Sequence, residues 1–182
     1  MRIAVLTPAI PERGQMLAEA IASVAAQTRA PDLHLVLVDH ERNGCAVAHN
    51  RMLAAALAAG CDYVALLADD DVLYPNHLEV LAAAADGAEV VYSWCDVEGR
   101  DWNPNADFDP DRLTRESYIP GTALLHAKTV ATLGGWRADA AFGWEDWDLY
   151  KRLLAAGKRF VCVPEVTWKY RFHGTNASWR AA

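Results

Sequence analysis

The chain has 182 residues, of which 53% are hydrophobic and 23% are charged, and its formal net charge is −7. This length and composition predict one globular domain with a sizeable core. The acidic balance, without a basic block, argues against general binding to a nucleic-acid backbone. No apolar run is long enough to span a bilayer, and prolines interrupt the apolar stretch of residues 1–14. We therefore expect no transmembrane segment and no signal peptide.

The cysteines predict a cytoplasmic protein with reduced thiols. They are scattered along the chain without a CxxC pair or the spacing of a metal knuckle, at Cys45, Cys61, Cys95 and Cys162. Four cysteines could pair, but without a secretion signal we favour free thiols and a cytoplasmic location.

The first half of the chain alternates predicted strands with predicted helices. Apolar runs at residues 2–7, 33–39 and 62–68 predict buried strands, and a stretch with apolar residues at helical spacing follows each. These repeated β-α units imply an α/β fold, with a mostly parallel central sheet and helices on both faces. Ligands of such sheets bind at the carboxyl ends of the strands, where Thr7 and Asp39 lie.

The second half is less regular. Residues 96–117 are polar and rich in Pro, Asn and Asp, which predicts a long loop or irregular hairpin, and such loops are often functional. Residues 121–136 predict a strand, a short helix and a Gly-Gly turn. Residues 144–157 begin with acids and carry leucines at helical spacing, and residues 159–174 predict two closing strands.

Asp69, Asp70 and Asp71 form an acidic triplet directly after the third predicted strand. Neighbouring carboxylates repel by roughly 4 kcal/mol per pair at about 4 Å and an effective dielectric near 20, so something must offset the repulsion. Exposure to water, a helix N-terminus and a bound cation are the candidates. One Asp can cap a helix, but a triplet exceeds what the few free N–H groups require. Because carboxylate oxygens and substrate phosphates together bind Mg²⁺ or Mn²⁺, we favour a divalent cation that holds an anionic diphosphate.

Glu145 and Asp146 form an acidic pair at the start of a predicted helix. Acids in a first turn complement the helix dipole, and this alone could explain the pair. Trp144 and Trp147 flank it, however, and partial burial beside indoles would raise a carboxylate's pKa and suit it to proton abstraction. The residues by themselves leave both interpretations open.

His173 lies near the end of the chain in the stretch YRFHGTN. A lone histidine is more often packed or solvent-facing than a ligand. It becomes a candidate for the site only if its loop folds back over the acidic triplet.

Taken in order, several short motifs resemble the family 2 glycosyltransferases of the GT-A fold. The similarity extends from Thr7 to about Ser178 and rests on TPAIPER, VDH, GCAVAHN, ADDDVLYP, GGW, FGWEDWDLYKRL and YRFHGTN. Each motif is weakly specific, and the ordered set is strongly so. The resemblance implies a single GT-A domain over residues 1–182, with a nucleotide-sugar-binding half at 1–95 and an acceptor and catalytic half at 96–182.

The resemblance also implies which residues contact the donor. Thr7 and Pro8 match the end of the family's first strand, where the base is gripped, and Arg13 matches a nearby arginine. Asp39 matches the acid that contacts the base and its ribose. The remaining donor-side matches are Asn50, His49 in place of the family's arginine, and Asp69.

The metal ligands and the catalytic base are implied in the same way. Asp70 matches the best metal ligand of the family's D-x-D region, assisted by Asp69 and Asp71, although Ala68 stands where the leading acid is usual. His173 matches a late histidine that in some members touches the metal or the diphosphate. Of the matching acidic pair Glu145-Asp146, the aspartate is the general base.

The resemblance therefore implies a metal-dependent, inverting, hexosyltransferase-like enzyme. It would use Mn²⁺ or Mg²⁺ and a UDP- or GDP-sugar, and would transfer the sugar to the hydroxyl of an unknown acceptor. Trp136, Trp144 and Trp147 could form an apolar platform for a sugar ring, and each could equally belong to the core. Residues 96–144, a homo-oligomer or a partner would supply acceptor specificity.

Other functions stay open. A nucleotidyltransferase shares this kind of sheet but normally carries a Gly-rich, basic phosphate loop after the first strand, which TPAIPERG lacks. A phosphoacceptor domain needs two acids after that strand, where only Thr7 stands. A non-catalytic nucleotide-sugar-binding module is favoured by Ala68 and His49, whereas the intact Glu145-Asp146 pair argues against it.

Overall fold

The computed structural model describes residues 1–140, 144–174 and 176, and within them one sheet has the strand order β2-β1-β3-β6-β5-β7-β4. The strands are β1 Ile3–Ala9, β2 Leu33–Val38, β3 Tyr63–Leu66, β4 Val72–Leu73, β5 Val90–Glu98, β6 Ala123–His126 and β7 Phe160–Arg171. Residues 141–143, which include Phe142 and Gly143 of the FGW motif, lie outside the described residues. So do Thr175 of the YRFHGTN motif and residues 177–182.

Six α-helices cover the sheet in the described part of the chain. They are α1 Gly14–Ala25, α2 Cys45–Ala58, α3 His77–Ala83, α4 Pro110–Arg115, α5 Ala127–Thr132 and α6 Glu145–Ala155, and a 3-10 turn at Pro11–Arg13 precedes α1. Within the described ranges, none of these helices combines the length and the apolar character that crossing a bilayer requires.

The predicted α/β fold is confirmed, and the sheet is mixed in direction. Strand β1 pairs in parallel with β2 and β3, and β5 pairs in parallel with β7. Strand β6 lies antiparallel between β3 and β5, and β4 is antiparallel to β7. The short run ALLH carries no signal of direction, so the β-α pattern of the first half could not reveal that β6 enters the sheet from the opposite end.

The core explains why the first strand reads as a continuous apolar run. Side chains alternate between the two faces of a strand, and both faces of β1 are covered. Ala4 and Leu6 pack into the cluster beneath α2, α5 and α6, whereas Ile3 and Val5 pack beneath α1 and α3. All four are fully buried.

The two predicted closing strands are one long strand. β7 runs from Phe160 to Arg171, and its pairing with β5 shifts register on either side of Trp94, an irregularity that bends the ladder. The short β4, which the sequence did not predict, pairs with the far end of β7. This pairing sets Val72, directly after the acidic triplet, beside Lys169, and thereby brings the triplet itself next to Arg171 at the end of β7.

Candidate functional site

A cavity of about 1240 Å³ opens beside the carboxyl ends of β1 and β3. This edge of the sheet is where α/β folds bind ligands. Twelve residues predicted for the site line the cavity: Pro8, Arg13, Asp39, His49, Asp69, Asp70, Asp71, Trp144, Glu145, Asp146, Trp147 and His173. The structure thus brings the donor-side, metal-side and base-side predictions to one place.

Three predicted site residues do not line this cavity. Thr7 is fully buried, and its Oγ1 lies 3.0 Å from Nε2 of His34 on β2. Trp136 is only 1% exposed and belongs to the core, so of its two predicted roles the structure supports packing, and a sugar platform there would have no access. Asn50 faces the Gly-Gly turn, where its amide bonds the backbone of Trp136.

Arg13 offsets much of the repulsion within the acidic triplet. Its Nη1 lies 2.8 Å from Oδ1 of Asp69 and 2.6 Å from Oδ2 of Asp70. The backbone N–H of Ile10 donates a second hydrogen bond to Asp69, at 2.9 Å. Burial nevertheless raises the pKa of Asp69, because loss of hydration outweighs the Arg13 and Ile10 hydrogen bonds that lower it. The repulsion is therefore countered first by a cation of the protein itself.

The loop after β7 folds back over the triplet, which is the condition that makes His173 a site candidate. His173 Nε2 lies 2.9 Å from Oδ2 of Asp70. Asn176 holds this loop, since its Oδ1 accepts from the N–H of His173 and its Nδ2 donates to the carbonyl of Arg171.

Asp71 faces the backbone of β7. Its Oδ1 accepts a hydrogen bond from the N–H of Arg171 at 3.0 Å. The Arg171 guanidinium donates from Nε to the carbonyl of Asp70 and also pairs with Glu19. Burial, followed by the neighbouring charge of Asp70, raises the pKa of Asp71 well above its ordinary value. In this geometry Asp71 ties the triplet to β7.

The donor chemistry at the triplet fits a divalent cation only in combination with a phosphorylated ligand. Asp70 Oδ2 and His173 Nε2 are an oxygen and a nitrogen donor that already face each other at the cavity wall. Within the described residues, no group of three or more His, Cys, Asp or Glu side chains is arranged to hold a metal by itself. Mg²⁺ and Mn²⁺ commonly bind through one or two protein ligands and take the rest from phosphates and water. Asp70 and His173 would be the two protein ligands in such a site.

Asp39 holds the loop that leads into α2. Its carboxylate accepts from the N–H of Gly44 at 2.7 Å and from Nδ2 of Asn43 at 3.3 Å. Hydrogen bonds from the backbone of Asn43 and Gly44 lower the pKa of Asp39, so it is ionised at neutral pH. Gly44 has φ +93°, a conformation that suits glycine, and this turn places Asp39 at the cavity wall.

His49 stands where the resemblance leads one to expect an arginine. It lies on α2 with its ring 4.8 Å from the Trp136 ring, and its Nδ1 is 3.5 Å from the sulfur of Cys45. Burial lowers its pKa to about 4. His49 is therefore neutral at pH 7 and does not supply the positive charge of an arginine.

Asp146 lies in the first turn of α6, half-buried at the wall of the cavity. Its Oδ1 accepts a hydrogen bond of 2.7 Å from Nε1 of Trp136. Burial raises the pKa of Asp146, and the indole hydrogen bond opposes this rise. Its neighbour Glu145 also lines the cavity. A carboxylate with a raised pKa at a cavity wall is suited to take a proton from a bound hydroxyl.

Trp144 and Trp147 both border the cavity. Their rings form an edge-to-face pair with centroids 5.6 Å apart. The indole N–H of Trp147 donates to the carbonyl of Leu113, and the Lys151 ammonium lies 3.9 Å from the centre of its ring. Of the three predicted platform residues, these two have access to the cavity.

Several cavity residues were not predicted from the sequence. Arg42 and Arg112 bring positive charge to the wall, and Trp102 from the loop after β5 packs edge-to-face with Tyr170 of β7. Tyr118 lines the cavity too, under the Arg112 guanidinium. The polar character of residues 96–117 was the one hint of a functional loop, but nothing in the spacing of its residues marked which side chains reach the cavity.

Solved structures share the fold of this chain. The chain has the fold of TarS of S. aureus, solved as residues 1–349 in complex with UDP-GlcNAc, with a TM-score of 0.76 at 13% identity over 100% of this chain and 62% of that one. It also has the fold of the mannosyltransferase PcManGT of Pyrobaculum calidifontis, solved with GDP-Man and Mn²⁺, with a TM-score of 0.68 at 18% identity over 98% of this chain and 59% of that one. The fold is thus that of the GT-A glycosyltransferases.

The family follows from the sequence match. The model of the family described as Glycosyl transferase family 2 matches residues 37–142, and the chain belongs to that family. A curated relative, described as uncharacterized glycosyltransferase YwdF of Bacillus subtilis (strain 168), is 26% identical over 155 residues, which make up 78% of this chain and 56% of that protein. The chain thus spans little more than half the length of this relative.

Proposed function

We propose that the protein transfers a sugar from a nucleoside diphosphate donor to the hydroxyl of an acceptor, with inversion and with the help of a divalent cation. The observation that carries the proposal is that Asp146 lines the same cavity as the Asp70–His173 pair. The same cavity thus offers ligands for a metal-bound diphosphate and a carboxylate for proton transfer. Membership of the family and the sugar nucleotides bound by TarS and PcManGT support the same conclusion.

The donor would lie along the ends of β1 and β3. Pro8 and Asp39 border the part of the cavity next to β1 and β2, where a base and ribose would bind, and the ionised Asp39 can accept from hydroxyl or imide groups. Arg13 and Arg42 line the same region and can pair with phosphate oxygens. The sequence predicts a donor with either uracil or guanine as its base. Measured binding of UDP- and GDP-sugars would distinguish the two.

Asp70 and His173 are the residues that would hold Mn²⁺ or Mg²⁺, beside Asp69 and Asp71. When bound, such a cation neutralises the charge that develops on the departing diphosphate. The Asp69 carboxylate is tied to Arg13 and Ile10, and Asp71 to Arg171, so these two acids orient the loop that presents Asp70.

Asp146 would accept the proton of the acceptor hydroxyl as its oxygen attacks the anomeric carbon. Inversion follows when the base and the leaving diphosphate lie on opposite faces of the sugar. Burial that raises the pKa of Asp146 strengthens it as a base while the Trp136 N–H keeps the ionised form accessible. Trp144 and Trp147, which flank Glu145 and Asp146 in the chain, border the same cavity and offer an apolar surface to an acceptor sugar ring.

The test is a panel of UDP- and GDP-sugars with Mn²⁺, in which release of the nucleoside diphosphate and formation of a glycosylated product are measured. We expect one donor to turn over, and we expect Asp146→Asn to retain donor binding while losing at least about a hundredfold in kcat. Turnover by Asp146→Asn at the wild-type rate would overturn the assignment of the base.

A non-catalytic nucleotide-sugar-binding module is the second candidate. The observation in its favour is the neutral, buried His49 at a position where the resemblance places an arginine. Selective thermal stabilisation by a nucleotide sugar, without turnover over the whole donor and acceptor panel, would favour this candidate.

The organisation of the chain as a single domain with two functional halves stays a prediction, as do a cytoplasmic location and assembly into a homo-oligomer. An acceptor-binding partner stays a prediction in the same way. Size-exclusion chromatography with light scattering would measure the oligomeric state directly.

A further inference from the structure

The Gly-Gly-Trp turn after α5 reaches the proposed base from inside the protein. Trp136 follows Gly134 and Gly135, and its side chain is only 1% exposed. Its indole Nε1 nevertheless donates a 2.7 Å hydrogen bond to Oδ1 of Asp146. A buried indole N–H normally has a partner, and here the partner is a carboxylate at the cavity wall.

Asn50 fixes the backbone of Trp136 from helix α2. Its Nδ2 donates to the Trp136 carbonyl at 2.7 Å, and its Oδ1 accepts from the Trp136 N–H at 3.0 Å. Both backbone polar groups of the tryptophan are therefore held by one side chain. Gly135 has φ +65°, and a Cβ on it would lie 2.1 Å from Asn50 Oδ1, so the turn can approach Asn50 this closely only with glycine.

The turn is also held from helix α6. Arg152 donates from Nη1 to the carbonyl of Leu133 and from Nη2 to the carbonyl of Gly135, at 2.7 and 2.6 Å. The same guanidinium pairs with Asp148 of its own helix at 2.8 Å. The His49 ring packs against the indole from α2. Hydrogen bonds from two helices, α2 and α6, therefore hold this turn.

On its other side, the Asp146 carboxylate meets the backbone of Gly121. A Cβ on Gly121 would lie 2.6 Å from Asp146 Oδ2. The carboxylate is thus confined between the Trp136 N–H at one oxygen and Gly121 at the other. This confinement selects one orientation of the side chain, with access left toward the cavity.

The titratable groups around Asp146 leave the indole N–H as its main polar partner among those the structure describes. Cys45 on α2 and Tyr150 on α6 both interact with the Asp146 charge, and burial raises the pKa of each well above its ordinary value, so both are neutral. His49, behind the indole, is neutral at pH 7 because burial lowers its pKa to about 4. Glu145 adds a further carboxyl group next to Asp146 in the chain.

We propose that Trp136 is a positioning residue, which holds the Asp146 carboxylate in one orientation and favours its ionised form, and that Asn50 fixes Trp136 for this purpose. The proposal rests on the proposed function, in which Asp146 is the base. It gives Asn50 a different role from contact with the donor, because its amide is committed to the Trp136 backbone on the side away from the cavity.

Trp136→Phe tests the proposal, since phenylalanine keeps an aromatic ring and removes the N–H. Tyr150→Phe is the matched control, because it removes a buried hydrogen bond of 2.8 Å to the Pro120 carbonyl close to Asp146 but not to it. Carbon-13 NMR titration of the Asp146 carboxyl, assigned with Asp146→Asn, follows its protonation in the protein without substrate. The pH dependence of kcat/KM is measured on the same variants.

We expect Trp136→Phe to move the Asp146 titration to higher pH, because the charged form loses a hydrogen bond, and we expect the control to move it far less, because the neutral Tyr150 hydroxyl donates to the Pro120 carbonyl and not to Asp146. The acid limb of kcat/KM should move with it, so that activity at pH 6 falls roughly tenfold more than at pH 8. Equal titrations in wild type and Trp136→Phe would overturn the proposal. If the NMR titration of Asp146 shifts but the pH dependence of kcat/KM does not, Trp136 still positions the Asp146 carboxylate. That result would refute the assignment of Asp146 as the base.

Asn50→Ser keeps the indole of Trp136 and removes the amide that hydrogen-bonds the Trp136 backbone. This variant tests the proposal if Trp136→Phe does not fold. We expect the Asp146 titration to move to higher pH, by less than in Trp136→Phe. We also expect a lower kcat with an unchanged KM for the donor. An increase in the donor KM alone would instead show that Asn50 contacts the donor.

Discussion

His173 Nε2 lies 2.9 Å from Oδ2 of Asp70, although 103 residues separate the two in the chain. The contact depends on pairing between β4 and β7, which draws the last described segment over the acidic triplet. It brings together the two side chains that we propose as ligands of a divalent cation. Its consequences can be measured without knowing the acceptor.

His173→Ala should weaken binding of Mn²⁺ in the presence of UDP or GDP by tenfold or more, because it removes the only imidazole donor that we assign to the cation. Electron paramagnetic resonance of free Mn²⁺ measures the change. The exposed His40 supplies a matched control, and His40→Ala should leave Mn²⁺ affinity unchanged. Equal Mn²⁺ affinities in wild type and His173→Ala would contradict the assignment.

Arg13→Gln should destabilise the fold by about 2 kcal/mol, since Asp69 and Asp70 would then lose their shared partner in a largely buried place. Because Mn²⁺ can replace the missing positive charge, added Mn²⁺ should stabilise the variant more than the wild type. Denaturant unfolding with and without Mn²⁺ measures both effects.

Arg42→Gln is the control for that prediction. Arg42 pairs with Glu12 at the surface, where both side chains are more than half exposed. A pair of this kind contributes at most about 1 kcal/mol, so the variant should be nearly as stable as wild type. If Arg13→Gln were no more destabilising than Arg42→Gln, the triplet would not depend on Arg13.

Gly135→Ala should cost about 3 kcal/mol of stability, because it strains a backbone at φ +65° and drives a methyl group into Asn50. Gly157→Ala shares the strain at φ +67° but has no atom within 4 Å of the new Cβ, and should cost about 1 kcal/mol. Thermal or urea unfolding separates the two. Similar losses of stability in the two variants would show that Asn50 can move away from the new methyl group at little cost.

Asp146→Asn should abolish turnover and stabilise the fold at neutral pH by on the order of 1 kcal/mol. Burial raises the pKa of Asp146 in the folded state, so the wild type loses stability as pH rises from the unfolded value, about 3.9, through the folded value. The stability gap between Asp146→Asn and wild type should therefore vanish near pH 4 and widen toward pH 8. A gap that does not change with pH would contradict the raised pKa.

Much of this protein could be predicted from local patterns in its sequence. The apolar runs predicted β1, β2 and β3, since a strand covered on both faces needs a continuous apolar stretch. The family-like motifs predicted the glycosyltransferase family and the GT-A fold, and both are confirmed. Their order also predicted that Asp70, Asp146 and His173 belong to one site, and all three line one cavity.

Other features depended on contacts between distant parts of the chain. The counter-ion of the triplet is Arg13, 56 residues from Asp69, and Asn50 bonds Trp136 across 86 residues. Spacing along the chain reports only which residues share a face of one helix or strand. It contains no information on which surfaces meet, because side-chain packing between elements sets those contacts.

The amino-acid sequence therefore determined most of the strands and helices, where the acids lie relative to strand ends, and which family the chain belongs to. Only the tertiary structure decided that Trp136 is a buried partner of Asp146, that β6 runs against its neighbours, and that an arginine already bridges Asp69 and Asp70. The physical reason is that propensity and hydrophobic period act over a few residues, whereas burial, hydrogen-bond partners and pKa values depend on what the completed fold places next to each side chain.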